Sequence, residues 1–227
     1  MSNELLFFIE AIIVFGALLL TKRFLGKKGL MAWVAVSAIL ANIQVNESVQ
    51  LFGMDATLGN VLFASSFLAT DILSECYGKK SARKAVFFGI GFMIFYIIMT
   101  QVTLAFHPSE YDVANGAITT LFTLSFRTTL ASLFMYAIAN LSDVYLFEKL
   151  SKLTKGKHLW LRNNVATILC NCLENFGFVF LAFYGVMDNE VLMGIALSTC
   201  AIETALALLD TPFAYLAKKI KEPKDDK

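Results

Sequence analysis

The sequence predicts an all-α protein, a polytopic transmembrane bundle of seven helices. Apolar residues make up 57% of the 227-residue chain and charged residues only 16%, against about 45–50% and about 25% in an ordinary soluble domain. The apolar residues are gathered in blocks, and roughly 20 such residues in a helix are enough to cross a bilayer. The loops between the blocks also alternate in charge. Together these observations favour a membrane bundle over a buried soluble core.

Seven blocks are candidate spans, and polar or charged residues bound each of them. They cover residues 5–20, 30–45, 58–77, 85–106, 117–147, 164–184 and 191–216. The first block is a retained span because its positive charge follows the apolar run, whereas a signal peptide begins with positive charge. The fifth is too long for one upright span at about 1.5 Å per residue. It is either tilted or divided, with 117–125 in the interface and the span beginning near Arg127.

The charge of the loops predicts the topology. Loops rich in Lys and Arg follow spans one, three, five and seven, and acidic loops follow spans two, four and six. Because short cytoplasmic loops carry the excess of Lys and Arg, the amino terminus is expected outside and the carboxyl terminus in the cytosol. The whole chain, 1–227, is then one integral membrane domain that ends in a charged cytosolic tail, 219–227.

Polar side chains at membrane depth are the candidate functional residues, because a charge at the bilayer centre costs about 2.5–3.5 kcal/mol on insertion scales. Glu174 and Glu203 fall near the middle of the last two spans. Asn171 precedes Glu174 by three residues and shares its helix face. Two central carboxylates exceed the single arginine within the spans, Arg127, so a proton or a cationic substrate group is expected to balance them.

Asp71 lies in the inner half of the third span, and Arg127 and Asn42 lie toward the outer ends of the fifth and second. Arg127 and Asp71 each have an alternative, structural interpretation. Arg127 pairs with an acid in a structural ion pair, or Asp71 pairs with a basic residue beyond its span, Arg83 or Lys84. Neither alternative is decided by the sequence.

Other residues are interpreted as structural. Glu75 and Asp143 are predicted to anchor or cap the cytosolic ends of their helices. Small residues in or beside apolar runs pack between helices more often than they bind metals or form disulfides. Four cysteines fit this description: Cys76, Cys170, Cys172 and Cys200.

Aromatic residues offer faces for a flat ligand. Phe67 precedes Asp71 by four residues and shares its helix face, which places it to stack on a planar ring. Tyr136 in the fifth span is placed to do the same.

No enzyme signature is present, and no cofactor or metal site is predicted. The chain has no HExxH, G-x-S-x-G or P-loop motif, and His107 and His158 lie in or near loops. An enzyme built on Asp71, Glu174 and Glu203 would need a metal or a nucleophile. The net charge of +1 gives no general attraction to nucleic acid. A small molecule and the lipid bilayer are the expected partners.

Four stretches carry a resemblance to a known family. ATDILSECYGKKSARK (69–84) resembles the "TD…E-YG-K-AR" signature of the bacterial queuosine-precursor transporters, also described as vitamin-uptake-transporter-like. The others are ASLFMYAIANLSDVYLFEKL (131–150), KHLWLRNNVAT (157–167) and LLDTPFAYLAKK (208–219), which are similar to further segments of that family, in register and in order. The family core has six spans, so residues 1–28 would be an additional amino-terminal helix.

The resemblance implies an importer of 7-deazaguanine bases (preQ0, preQ1 or queuine) in the inner membrane, for tRNA modification. Carried over by position, the implied site comprises Asn42, Phe67, Asp71, Arg127, Asn171 and Glu174. A carboxylate accepts both the ring N–H and the exocyclic amine of a guanine edge, which is the role expected of Glu174. Asn171 would read the ring carbonyl, and Phe67 or Tyr136 would stack on the base.

The chain departs from the family pattern at two positions. The family usually has Asp in place of Glu174 and Lys in place of Glu203. A glutamate in the last span suits the cationic amine of preQ1 or queuine better than the neutral nitrile of preQ0.

Two mechanisms follow from this resemblance. In the first, the bundle alternates access by itself, driven by a proton on Glu174 or Glu203. In the alternative, the chain is the substrate-binding membrane subunit of a multi-component ATP-driven vitamin-type importer.

Overall fold

The computed structural model describes residues 2–123, 126–185 and 188–220, with the side chains at 48, 54, 55, 57 and 126–129 outside the description. This part of the chain forms seven helices and one two-stranded hairpin. The helices are α1 (Asn3–Gln44), α2 (Asn60–Tyr77), α3 (Lys79–Ala105), α4 (Asn115–Phe122), α5 (Phe126–Leu153), α6 (Leu159–Phe183) and α7 (Asn189–Lys219), and the strands are β1 (Ser48–Leu51) and β2 (Met54–Thr57). The predicted helical membrane bundle is confirmed.

Helix α1 contains two of the predicted spans, because it folds back on itself at Gly26. Gly26 has φ 55° and ψ −137°, a conformation open almost exclusively to glycine. The side chain of Gln44 donates a hydrogen bond of 3.2 Å to Glu10. In a straight helix these residues would lie about 50 Å apart, so residues 3–25 and 27–44 are two antiparallel arms.

Gly26→Ala is expected to destabilise this helical hairpin by about 1–3 kcal/mol, because alanine is strained at a positive φ. Gly16→Ala in the same helix is the matched control, since a Cβ there has no neighbour within 4 Å. Thermal unfolding of the two purified variants in detergent measures the difference. Equal midpoints would show that the turn does not depend on glycine.

The long fifth block is divided, as one of the two alternatives predicted. The short helix α4 ends at Phe122, and α5 begins at Phe126. Five helical segments are long and apolar enough to span a membrane within the described residues: α1, α3, Leu130–Leu153 of α5, α6 and α7.

Helix α2 has fewer apolar residues than these five, although it was predicted as a span. It contacts α1, α3, α5, α6 and α7, and every residue in 64–74 is buried. Its polar side chains therefore face other helices instead of lipid. This central position explains why a span can carry so many polar groups.

The polar loop expected between the second and third spans is instead the β1–β2 hairpin. Phe52 and Gly53 connect the strands with positive φ at both positions (52° and 75°), as a two-residue type I′ turn requires. The Phe52 ring packs edge-on against Phe7, with centroids 6.1 Å apart. The backbone N–H of Phe52 donates to Glu4, so the hairpin closes over the amino-terminal end of α1.

The expectation that all four cysteines only pack between helices is wrong for one pair. Cys172 of α6 and Cys200 of α7 form a disulfide, with Cα atoms 5.3 Å apart. The two helices pack side by side, which brings these positions to the same depth. Cys76 and Cys170 are free thiols.

The ends of four helical segments meet on one side of the bundle, where basic side chains gather. The buried Lys22 ammonium, from the first arm of α1, donates to the Ala217 carbonyl near the end of α7 and to the Cys76 sulfur. Glu75 near the end of α2 forms ion pairs with Arg162 of α6 and Lys218 of α7. The predicted anchoring role of Glu75 is confirmed by these pairs.

Candidate functional site

Three aspartates from three helices meet inside the bundle and are called here the aspartate cluster: Asp71 of α2, Asp143 of α5 and Asp210 of α7. Their exposed fractions are 2%, 0% and 0%. The carboxyl groups of Asp71 and Asp143 are close enough to interact electrostatically with each other and with Asp210. The structure thus gathers three acidic groups where the sequence predicted one.

This arrangement corrects two interpretations from the sequence. Asp71 does not pair with Arg83 or Lys84, because both basic side chains are exposed at the start of α3. Asp143 does not anchor a helix end. Its side chain is completely buried. Helix α5 continues to Leu153, so Asp143 lies more than two turns before the helix end.

Helix α6 supplies polar partners for the aspartate cluster. Asn163 donates to Asp210 at 2.7 Å, and Thr167 donates to Asp143 at 3.4 Å. Asn163, Thr167 and Asn171 follow at intervals of four residues, which places them on one face of a helix. That spacing is the signal from which Asn163 and Thr167 could have been identified in the sequence.

A second acidic group, the glutamate pair, lies further along the same helices. Glu174 of α6 and Glu203 of α7 are close enough to interact electrostatically. Glu203 is 3% exposed and accepts a hydrogen bond of 2.7 Å from Asn175. The sequence left open whether the two glutamates meet, and the structure brings them together. Asn175, which orients Glu203, was not identified in the sequence.

The polar atoms of Glu174 and Asn171 are not satisfied by the protein. The Oε2 atom of Glu174 is enclosed and has no hydrogen-bond donor among the described residues. Both side-chain polar atoms of Asn171 are also buried without a described partner, and the residue is 1% exposed. Buried polar groups in proteins are nearly always hydrogen-bonded, so these atoms point to a ligand.

Aromatic rings lie against this group. Phe63 and Phe67, one turn apart on α2, have ring centroids 5.2 Å apart, and Phe63 lies 6.0 Å from the ring of Tyr136 on α5. Tyr136 is also near enough to Glu174 to interact with its charge. The structure thus places Tyr136 beside Glu174 and connects Phe67 to Tyr136 through the ring of Phe63, which the sequence did not single out.

The remaining predicted site residues are not joined to these groups. The Asn42 side chain donates to the Ala38 carbonyl of its own helix, and no described contact connects it to the acids. Arg127 lies in α5, but its side chain is outside the described part of the structure. Its predicted pairing with an acid stays a prediction.

The site as a whole is acidic and accepts hydrogen bonds. Among the described side chains, no lysine or arginine forms an ion pair with the five buried carboxyl groups. The same residues contain no group of His, Cys, Asp and Glu with the geometry of a metal site. The glutamate pair, with the unsatisfied Asn171 one turn from Glu174, therefore favours a ligand that carries positive charge or several N–H donors.

Comparison with known proteins identifies the family to which the chain belongs. Residues 57–217 match the family described as "Putative vitamin uptake transporter". The chain is 36% identical to the "Probable queuosine precursor transporter" of Bacillus subtilis (strain 168), over 97% of this chain and 96% of that protein. It is 26% identical to the "Queuosine precursor transporter" of Escherichia coli (strain K12), over 69% and 70% of the two chains. No solved structure matches the chain. The chain therefore belongs to this vitamin-uptake-transporter family, and it is a multi-pass membrane transporter, not an enzyme.

Proposed function

We propose that this protein imports queuosine precursors, the 7-deazaguanine bases preQ1, queuine or preQ0, across the bacterial cytoplasmic membrane for tRNA modification. The relatives named as queuosine precursor transporters support this cargo. One observation in the structure carries the proposal. The unsatisfied polar atoms of Asn171 and Glu174 lie one helix turn apart, beside the aromatic rings of α2 and α5.

The unsatisfied atoms complement the hydrogen-bonding edge of a guanine-like base. That edge presents a carbonyl oxygen, a ring N–H and an exocyclic amine in a row. Glu174 accepts from the two donors, and the Asn171 amide donates to the carbonyl. Bonds to an ionised carboxylate are stronger than neutral ones, so Glu174 contributes most to base selection.

Glu203 is assigned to the substituent at the 7-position of the base. It carries the second carboxyl group of the glutamate pair, and the Asn175 side chain orients it by donating a hydrogen bond of 2.7 Å. A carboxylate attracts the ammonium group of preQ1 or queuine but not the nitrile of preQ0. Competition uptake with the three bases tests this assignment. Preference for preQ0 over both amines would contradict it.

Binding requires the helices to separate, because the site is closed in this structure. Asn171, Glu203, Phe67 and Tyr136 are between 0% and 3% exposed. A base enters and leaves only if the bundle opens toward one side and then toward the other. The positive loops support an orientation with the amino terminus outside and the carboxyl terminus in the cytosol.

The experiment that tests the function is uptake of mass-detected preQ0, preQ1 and queuine by cells that cannot make queuosine. Expression of the chain is expected to restore modified tRNA in the presence of at least one base. If none of the three bases enters, the proposed cargo is wrong. Uptake by the purified chain in liposomes, without ATP, is expected if the protein works alone. If the purified chain takes up no base in liposomes but restores modified tRNA in cells, the result favours the alternative in which the chain is a subunit of an ATP-driven importer.

Gly89 of α3 provides a test of Tyr136 that leaves the tyrosine in place. A Cβ at Gly89 would lie 2.6 Å from the Tyr136 hydroxyl, whereas a Cβ at Gly91 would meet nothing within 4 Å. Gly89→Ala is therefore expected to displace the Tyr136 ring and weaken base binding about tenfold, since stacking contributes about 1–3 kcal/mol per base. Gly91→Ala is the matched control. Equal affinities of the Gly89→Ala and Gly91→Ala variants for preQ1 would show that Tyr136 does not contact the base.

A further inference from the structure

We propose that the aspartate cluster of Asp71, Asp143 and Asp210 is the binding site of a coupling proton, separate from the site that holds the base. This proposal rests on the proposed function, because it concerns how base transport is driven. It also differs from the expectation that Glu174 or Glu203 carries the proton. The cluster lies nearer the basic ends of the helices than the glutamate pair does.

The contacts of the cluster show a missing donor. As carboxylates, Asp71 has two enclosed oxygens without a donor, and Asp143 and Asp210 have one each. The amide oxygen of Asn163, beside Asp210, is also enclosed and unsatisfied. Asn163 is completely buried, so water in the bulk does not reach this oxygen.

A proton supplies the missing donor directly. Two carboxyl groups form a hydrogen bond with each other only when one of them is protonated, because a carboxylate is an acceptor only. A proton shared between Asp71 and Asp143 would therefore satisfy one oxygen of each carboxyl group. A metal ion is a poorer candidate, since the described residues do not provide a metal-binding geometry.

The surrounding groups do not neutralise the cluster within the described part of the chain. From α6, the Cys170 thiol lies near Asp71 and Asp143, and it is not a cation. The basic groups nearby are engaged elsewhere: Arg162 and Lys218 pair with Glu75, Lys22 donates to Ala217, and Arg83 and Lys84 are exposed. A positive charge must therefore come from outside the cluster.

The cluster shares two helices with the base site, which provides a route for coupling. Helix α7 carries both Asp210 and Glu203, seven residues apart and so on one face. Helix α6 carries Thr167, which donates to Asp143, and Glu174 two turns further on. Cys170 lies between the two acidic groups and is near Asp71, Asp143 and Glu174. Movement of α6 and α7 around a bound base changes the contacts of the aspartates with α2 and α5.

The test uses the purified chain in liposomes and two assays with labelled preQ1. Concentrative uptake is measured under an imposed pH gradient, and counterflow is measured without one. A gradient of one pH unit sustains about tenfold accumulation per proton. Asp143→Asn and Asp210→Asn are expected to lose this accumulation and to retain counterflow within about twofold, because the base site is intact.

The outcomes separate this proposal from the proposed function. Wild-type protein that shows neither counterflow nor uptake of any of the three bases would overturn the proposed function, and the coupling site with it. Wild-type counterflow with accumulation that ignores the pH gradient would overturn the coupling site alone. So would Asp143→Asn and Asp210→Asn variants that accumulate preQ1 as the wild type does. A pH-sensitive dye in the liposome lumen supplies a second readout: proton entry on addition of preQ1 is expected for wild type and absent for both variants.

Discussion

Glu174→Gln is expected to reduce the affinity for the base about a hundredfold or more and to abolish uptake at low concentrations. Glutamine keeps the shape of the side chain but replaces a charged acceptor with an amide. Two charge-assisted bonds, each worth about 1.5–3 kcal/mol, are weakened or lost. The enclosed Oε2 position would also present an N–H group in one of its orientations, directly toward the donors of the base. Titration of the purified protein with preQ1 measures the loss.

Glu190→Gln is the matched control for this substitution. Glu190 lies in the first turn of α7 and is exposed, so neutralising it leaves the buried site unchanged. Wild-type affinity in Glu174→Gln, in a sample that unfolds at the wild-type temperature, would show that Glu174 does not read the base. A lowered unfolding temperature in that variant would instead trace the defect to stability.

Arg162→Met is expected to destabilise the folded protein by about 1.5–3 kcal/mol, because it removes a charge-assisted hydrogen bond from Glu75, which keeps only its ion pair with Lys218. The guanidinium is 1% exposed and lies 2.7 Å from Glu75. It also donates to the Ser151 hydroxyl at 2.8 Å and to the Gly156 carbonyl at 3.3 Å. These contacts join α2, the end of α5 and the start of α6, so their loss loosens the basic end of the bundle. Thermal unfolding in detergent measures the effect.

Lys152→Met is the control for a basic residue on the surface. Its ammonium lies 3.8 Å from Glu148, one turn away, and its side chain is 77% exposed. Exposed pairs of this kind contribute about 0.3–0.5 kcal/mol. Similar unfolding temperatures for the Lys152 and Arg162 variants would mean that the ion pair between Arg162 and Glu75 does not stabilise the folded protein.

The spans were predictable from the sequence because each depends on a local property, a run of apolar residues bounded by charge. For the fifth block the sequence left two alternatives, tilted or divided, and the structure divides it between α4 and α5. The β-hairpin was not predicted because Phe52-Gly53 lacks the Asn or Asp that usually marks a type I′ turn. Phe52 adopts its positive φ while packed against Phe7, and that contact is distant in sequence.

The sequence identifies residues of the candidate site only where their depth in the membrane marks them. Glu174 and Glu203 lie at the middle of their helices and do meet. Asp143 was misjudged because the fifth span was expected to end at 147, whereas α5 ends at Leu153. Asp210 lies in one of the stretches that carry the family resemblance (208–219), but the sequence assigns it no role, because nothing local shows that it faces Asn163 across a helix interface. Contacts between helices depend on rotation and packing, which one sequence does not encode locally.

The central position of α2 also bears on how the chain enters the membrane during synthesis. A segment that carries Asp71 and Glu75 partitions poorly into lipid alone, since an aspartate near the centre opposes insertion by about 2.5–3.5 kcal/mol. Its polar groups find their partners on α5, α6 and α7, which are made later. Nascent α2 therefore stays near the insertion machinery, or against the α1 hairpin, until the second half of the chain emerges.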